Sequence, residues 1–384
     1  MRRKVCVVIT ARPSYSRIKT VMRAIKQHPD LELQLVVTAS ALLDRYGKAI
    51  DYIENDGFEI HGKVYMVLEG ENPATMAKTT GLGLLELSTV IDNLKPDVVI
   101  TVADRYETLA TAIAASYMNV PVAHVQGGEI TGSIDEKVRH AVTKLADVHF
   151  VSTERAAERV IRMGEDPATV FVTGCPSIDL AAEVLRDSTL CFDPFKKYGG
   201  VGEASDLRDG YLVVMQHPVT TEYEMARQHV LETLKAVHAL GVPTLWFWPN
   251  VDAGSDGTSN GIRSYRELKE PSNIHFFKNM EPLDFLRLIY NARCLIGNSS
   301  VGIREASFLG LAVVNIGSRQ AGRERGENVL DVGYDSQEIR SAIEHHARNG
   351  RYRSDSLYGD GTAGTRIATL LSEVPLRIEK RLAY

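Results

Sequence analysis

Residues 120–140 read VPVAHVQGGEITGSIDEKVRH, and the fold turns on how this stretch divides. Its opening, VPVAHVQ, is short, valine-rich and apolar on both faces, the pattern of a strand inside a parallel sheet covered by helices on each side. Gly127 and Gly128 stop the run, and Glu129, Asp135 and Glu136 follow between His124 and His140. Ligands of open parallel sheets bind outside the carboxyl ends of the strands. A buried strand that gives way to clustered acids therefore reads as one wall of a binding site.

The same punctuation recurs outward from this stretch. KVCVVIT, LQLVVTA, DVVITVAD, DVHFVST and TVFVTG are further strand-like runs in the first half. YLVVMQHP, VPTLWFWPN, NIHFFKN, RCLIGNSS and AVVNIGS repeat the pattern in the second. Segments such as SRIKTVMRAIKQH and YETLATAIAASYMN lie between them, with apolar residues returning every three or four positions as in amphipathic helices. Alternation of this kind predicts an α/β protein with two doubly wound domains facing a cleft. The boundaries read from it are 1–180 for the first domain, 181–365 for the second and 366–384 for a final helix that packs back. The Gly-, Asp- and Lys-rich segment TLCFDPFKKYGGVGEASDLRDG, residues 189–210, reads as a linker or surface loop.

Bulk properties agree with a two-domain globular chain. At roughly 150 residues per domain, 384 residues suggest two domains with a core each. The formal net charge of −5 argues against nucleic acid as a partner, since phosphate-tracking surfaces need a basic excess. No apolar run approaches the roughly 18 residues of a membrane span, so no membrane partner is expected. The opening MRRKVCVVIT reads as a first strand and not a signal peptide. The four cysteines, Cys6, Cys175, Cys191 and Cys294, have no metal-ligand spacing and read as reduced residues of a cytoplasmic protein. Neither a metal site nor a bound cofactor is expected, and GxGxxG and the P-loop pattern are both missing.

Polar residues fall just after the strand-like runs. LIGNSSVGIREASFLG reads as strand, turn and helix, so Asn298, Ser299 and Ser300 meet the helix start, where unpaired N–H groups and hydroxyls suit a phosphate. Glu305, about a turn further on, can accept hydrogen bonds from ribose hydroxyls, although a plain capped helix with a solvated glutamate would look the same. In GSRQAGRERGENV, residues 317–329, Arg319, Arg323 and Arg325 stand among glycines, a phosphate-type loop or a solvated basic one. Arg12, Ser14 and Ser16 sit between the first strand and the first helix, again a phosphate-friendly place. Asp104 and Arg105 end one strand of the first half; Glu129, Asp135 and Glu136 follow the next. Acids held close in a dry cleft push each other's proton affinities apart, giving an acid and a base together. His217 ends a strand beside Pro218, and Asn250 and Asp252 lie in a polar turn that suits sugar hydroxyls.

Taken in order, ADRYETLA, GGEITGSIDEKVRHAVTKLAD, TGCPSIDL, QHPVTTE, PNVDAGSDG, GNSSVGIREASFLG and GSRQAGRERGENV resemble the hydrolysing UDP-N-acetylglucosamine 2-epimerases over roughly Lys4 to Leu330. The resemblance implies two Rossmann-like domains in a glycosyltransferase-B-like arrangement, a nucleotide sugar bound between them, no required metal, and a homodimer or homotetramer. It implies catalytic roles for Asp104, Glu129, Asp135 and His217. Substrate contacts fall to Arg12, Ser16, Arg105, Gln126, Asn250, Asp252, Ser299, Ser300, Glu305, Arg319 and Arg323, with Ser299, Ser300, Arg319 and Arg12 on the diphosphate and Glu305 on the ribose. The implied reaction removes the proton on carbon 2 as the nucleoside diphosphate leaves carbon 1, then hydrates the 2-acetamidoglucal, for sialic acid-like biosynthesis. One departure stands out: where the family pattern carries a glutamate, this chain has Gln126, and a neutral amide cannot take a proton at ordinary pH. That leaves Glu129 as base, or a different sugar, such as a UDP- or GDP-linked 2,4-diacetamido-6-deoxy sugar. An acceptor-dependent glycosyltransferase, a silent nucleotide-sugar sensor and a non-hydrolysing epimerase are the other readings.

Overall fold

The computed structural model describes residues 2–70, 72–102, 105–131, 134–249 and 254–384. Two compact units are formed, one from Met1–Glu129, Ile134–Asp179 and Tyr358–Tyr384, the other from Ile130–Ser133 and Leu180–Leu357.

The first unit holds β1 (Arg3–Ile9), β2 (Leu31–Thr38), β3 (Gly62–Val64), β4 (Val98–Val102), β5 (Val122–Val125), β6 (Val148–Val151) and β7 (Val170–Val172). They pair in the order β3-β2-β1-β4-β5-β6-β7, and every strand pair is parallel. Side chains on successive residues of β1 go to opposite faces. Val5, Val7 and Ile9 meet Tyr15, Ile18, Met22 and Ile25 of the helix Arg12–Gln27, while Cys6 and Val8 meet Leu87 and Ile91 of the helix Pro73–Leu94. That is why the strand shows no polar face. Each such aliphatic side chain contributes about 1.5–3 kcal/mol by leaving water. The chain runs outward from β1 to β3, then returns to place β4 on the other side of β1, so the order reverses between β1 and β4.

The second unit repeats the plan with β8 (Leu212–Met215), β9 (Thr244–Phe247), β10 (Ile274–Phe277), β11 (Cys294–Gly297), β12 (Val313–Ile316) and β13 (Val329–Val332). Its order is β10-β9-β8-β11-β12-β13, again parallel, with the reversal between β8 and β11. Leu212, Val214, Trp246 and Ile296 build one face of its core with Val230, Leu234 and Ile339.

Two segments add to the sequence reading. Residues 189–210, read as a linker or surface loop, are largely exposed but held in place. Pro194–Tyr198 is a short helix capped by Asp193, and Val201 bridges Phe276 of the edge strand β10. A Cβ on Gly200 would lie 2.5 Å from the Phe276 carbonyl oxygen and one on Gly202 2.6 Å from that of Ile274. The glycines are there for close backbone approach, covering an edge that would otherwise expose unpaired groups. The final helical pattern, in turn, is cut short: the helix runs Ala363–Glu373 and Val374, ahead of Pro375, is extended. This helix belongs to the first unit, and Asp179 caps its start by accepting from the N–H groups of Ala363 and Gly364 at 2.9 and 2.7 Å.

Among the described residues, no helix is long and apolar enough to cross a membrane. Cys6, Cys175 and Cys294 are buried thiols; Cys191 is exposed.

Candidate active site

In the first unit the polar loops follow β1, β4 and β5. The helix after β1 starts at Arg12, earlier than the sequence suggested, because Pro13 presets the helical φ at its first turn. Ser14 and Ser16 therefore stand inside the helix, Ser14 facing Thr10 at 3.2 Å and Ser16 donating to the Pro13 carbonyl at 3.1 Å. Arg12 is half-buried. Desolvation brings its guanidinium down to about 10, so it keeps its charge at neutral pH and remains able to meet an anion.

Beyond β4, Arg105 is 7% exposed and gripped by Glu107, which is fully buried. Nε and Nη2 of Arg105 donate to the two carboxylate oxygens at 3.1 and 2.9 Å. A two-pronged pair of this kind fixes the orientation of the fork. Removing either partner leaves a buried charge uncompensated. Glu107 did not stand out in the sequence, although its spacing two residues after Arg105 was the available clue.

After β5 the chain enters the loop quoted at the outset. Gln126 takes φ +70, and Gly128 at φ +73 lies so close to the next helix that a Cβ would meet the Ala156 carbonyl oxygen at 2.2 Å. Gln126 is 1% exposed. Its Nε2 donates to Cys175 Sγ, while Oε1 has no hydrogen-bond partner. Glu129 is buried too, its Oε1 accepting from Ser152 Oγ at 3.0 Å and its carbonyl from Arg139 at 2.8 Å. The next helix begins at Ile134, which puts Asp135 and Glu136 in its first turn. A helix's first turn accommodates negative charge, and a carboxylate placed there can serve as a base. Glu136 is engaged by His140 at 2.9 Å and by Arg139 at 3.7 Å.

In the second unit the loops after β8, β11 and β12 are tied together by Asn298. Its Oδ1 accepts from the His217 N–H and its Nδ2 donates to the His217 carbonyl, each at 2.8 Å. Its own carbonyl accepts from Gln320 Nε2 at 2.9 Å and Arg319 Nη1 at 3.3 Å. His217, Arg319 and Gln320 are thereby fixed about one buried asparagine. Gly297, at φ +128, permits this, since a Cβ there would fall 2.1 Å from the Met215 carbonyl oxygen.

The predicted helix after β11 is two short turns, Ser300–Ile303 and Glu305–Phe308, broken at Arg304. Ser299 caps the first turn, accepting from the Val301 N–H at 3.4 Å. Ser300 Oγ accepts from Arg304 at 2.8 Å, and Arg304 Nε lies 3.8 Å from Glu305 Oε2. Arg304, only 1% exposed, adds a buried cation beneath Ser300 that sequence reading missed. Oε2 of Glu305, Oε1 of Gln216 and Oε1 of Gln320 are buried without a hydrogen-bond partner. Buried acceptors left open cost about 1–3 kcal/mol each, and ligand hydroxyl or N–H groups would satisfy them. Arg323 donates to the Ile130 carbonyl at 3.1 Å, whereas Arg325 is spent on Asp331 of β13 and on the carbonyls of Arg323 and Gln320 in its own loop.

Three predicted residues, Asp104, Asn250 and Asp252, lie outside the described residues. Among the described residues no group of three or more His, Cys, Asp or Glu could hold a metal ion.

Comparison with known proteins places these features in company. The protein family described as UDP-N-acetylglucosamine 2-epimerase matches residues 23–372. The UDP-N,N'-diacetylbacillosamine 2-epimerase (hydrolyzing) of Legionella pneumophila is 34% identical over 98% of this chain and 97% of its own length. The UDP-N-acetylglucosamine 2-epimerase of Neisseria meningitidis serogroup B is 30% identical over 95% of this chain and 93% of its own. In fold, the chain is similar to the crystal structure of Methanocaldococcus jannaschii UDP-GlcNAc 2-epimerase in complex with UDP-GlcNAc and UDP, with TM-score 0.79, 19% identity, and coverage of 96% and 99% of the two chains.

Proposed function

This chain belongs to the UDP-N-acetylglucosamine 2-epimerase family, and from that premise we propose that it is a hydrolysing 2-epimerase converting UDP-N-acetylglucosamine and water to N-acetylmannosamine and UDP. A carboxylate takes the proton from carbon 2 while the bond from carbon 1 to the diphosphate oxygen breaks, leaving a 2-acetamidoglucal. Water then adds its hydroxyl to carbon 1, and a proton returns to carbon 2 on the opposite face. The free sugar is of the kind that enters sialic acid-like biosynthesis.

The observation that carries the reading is the loop after β5, where buried Glu129 and first-turn Asp135 supply two carboxylates within one short stretch. A carbon-bound proton is weakly acidic, so the base has to be placed near it and the leaving diphosphate's charge balanced. Asp104, Glu129, Asp135 and His217 exchange the protons. Arg12, Ser299, Ser300 and Arg319 hold the diphosphate, Glu305 the ribose, and Ser16, Arg105 and Arg323 support the site. Asn250 and Asp252 serve the sugar.

A second reading has its own support. Gln126 stands where the family pattern has a glutamate, and the Legionella pneumophila relative is named for a diacetamido sugar. The same chemistry would then act on a UDP- or GDP-linked 2,4-diacetamido-6-deoxy sugar of a legionaminic acid-type route. Incubation with a panel of UDP- and GDP-sugars, without any acceptor, separates the readings by NMR of what is released. Free N-acetylmannosamine with UDP supports the first and a free diacetamido sugar the second. An epimerised sugar still joined to its nucleotide, or no release without an acceptor, excludes both.

A further inference from the structure

We propose that Glu222 is a positioning residue of the diphosphate site: by tying the loop that carries His217 to the loop that carries Arg319, it sets Arg319 for the departing diphosphate. The proposal rests on the reading above that Arg319 meets the diphosphate, and adds a residue that acts through it.

Glu222 closes the stretch QHPVTTE, residues 216–222, which follows β8. The short helical segment Thr220–Met225 bends there, Glu222 taking φ −125 and ψ 22, and its carboxylate reaches two other strand ends. Oε1 accepts from Ser318 Oγ, just past β12, at 2.5 Å. Oε2 accepts from the hydroxyl of Tyr334, just past β13, at 3.1 Å. One half-buried side chain thus joins the loops after β8, β12 and β13. A carboxylate has an oxygen for each hydroxyl, and hydrogen bonds to a charged acceptor are stronger than neutral ones.

The tyrosine end of this bridge is itself fixed. Its ring lies flat on that of His229 in the helix Ala226–Leu240, with centroids 3.5 Å apart and 4° between the planes. Its hydroxyl presses on Gly317, where a Cβ would fall 2.2 Å from the oxygen. His229 Nδ1 stands 3.9 Å from Glu222 Oε2.

What the bridge holds is Arg319. Ser318 precedes it and is fixed by Glu222. Gln320 follows it and donates to the Asn298 carbonyl at 2.9 Å. The chain is thus secured on both sides of Arg319, whose own Nη1 reaches that carbonyl over a longer 3.3 Å. A donor serves a leaving group best when it is in place before the charge develops, because it need not reorganise at that moment. Asn298, 1% exposed, is one tie between the His217 and Arg319 loops, and Glu222 is a second, nearer the surface. Two ties at separate points keep the loops from pivoting about one.

The test measures the Kd of UDP by calorimetry for the intact wild-type protein, Glu222→Ala, Glu222→Gln, Arg319→Ala and the Glu222→Ala/Arg319→Ala double variant. Glu222→Ala is expected to weaken UDP by at least about tenfold, and Glu222→Gln, which keeps the length and one acceptor oxygen, by less than about threefold. Arg319→Ala is itself expected to bind weakly. In that background Glu222→Ala should add less than about twofold, because its effect runs through Arg319, whereas a merely structural loss would repeat in full. Ser318→Ala cuts the same bridge at its other end. It is expected to cost at least about threefold with the same dependence on Arg319, and it carries the test should Glu222→Ala not fold. Wild-type affinity in the folded bridge variants or in Arg319→Ala, or equal losses with and without Arg319, overturns the proposal while UDP binding by wild type stands. No UDP binding by wild type sinks the nucleotide-sugar reading and this proposal together.

Discussion

Glu129 and Asp135 illustrate what single residues disclose. Their acidity and their place after a buried strand were plain from the sequence. Their settings were not: one is buried beside Ser152, the other stands in a helix's first turn. The arginines teach the same lesson. Arg319 and Arg325 look alike in GSRQAGRER, yet Arg325 is consumed by Asp331 and two carbonyls whereas Arg319 reaches the Asn298 carbonyl. Side-chain pairing of that kind depends on which strand lies alongside, and a one-dimensional pattern does not carry it. If Glu129 and Asp135 move protons, Glu129→Gln and Asp135→Asn should each lower kcat by at least about a hundredfold. UDP affinity should stay within about tenfold, roughly 1.4 kcal/mol, by calorimetry. A variant with near wild-type turnover removes that residue from the mechanism.

Among elements, the strands were the most legible, because burial on both faces writes an unbroken apolar run into the sequence. Glycine-rich and terminal segments were less so. The glycines of KKYGGVGE suggest slack, but here they admit backbone against β10. The close of the chain past Glu373 forms neither helix nor strand and is anchored by charge. Lys380 donates to the carbonyls of Thr143 and Lys144 at 3.2 and 2.9 Å, capping the end of the helix that carries Asp135. It also pairs with buried Glu165, which Lys144 and His149 approach at 2.6 and 3.0 Å. Burial opposes the charge on Glu165, but hydrogen bonds from His149, Lys144 and Lys380 outweigh it and hold the carboxyl at about 2. A carboxylate lower in the folded chain than its ordinary 4.5 stabilises the fold above that value, and the contribution is lost as pH falls from there toward 2. Glu165→Gln should therefore lower the melting temperature at neutral pH and flatten its dependence on pH between about 4.5 and 3. An unchanged slope would mean that the cluster does not contribute in this way.

For the molecule as a whole, the repeated alternation of strands and helices foretold two doubly wound sheets, and each sheet reverses its order beside its first strand. The polar residues picked from the sequence and described in the structure fall after β1, β4 and β5 in one unit and after β8, β11 and β12 in the other. A final helix that packs back was legible, but not that the return begins at Tyr358 and joins the first unit, because that choice is fixed by tertiary contacts such as Asp179 at the helix start. The central claim is a reaction that inverts carbon 2 and splits off the nucleotide. The most direct measurement is turnover of the UDP-sugar in heavy water, with products followed by NMR and no acceptor present. The account predicts UDP and a free sugar of inverted configuration carrying one deuterium at carbon 2. A free sugar with its original proton and configuration, or a deuterated sugar still bound to UDP as the final product, would contradict it.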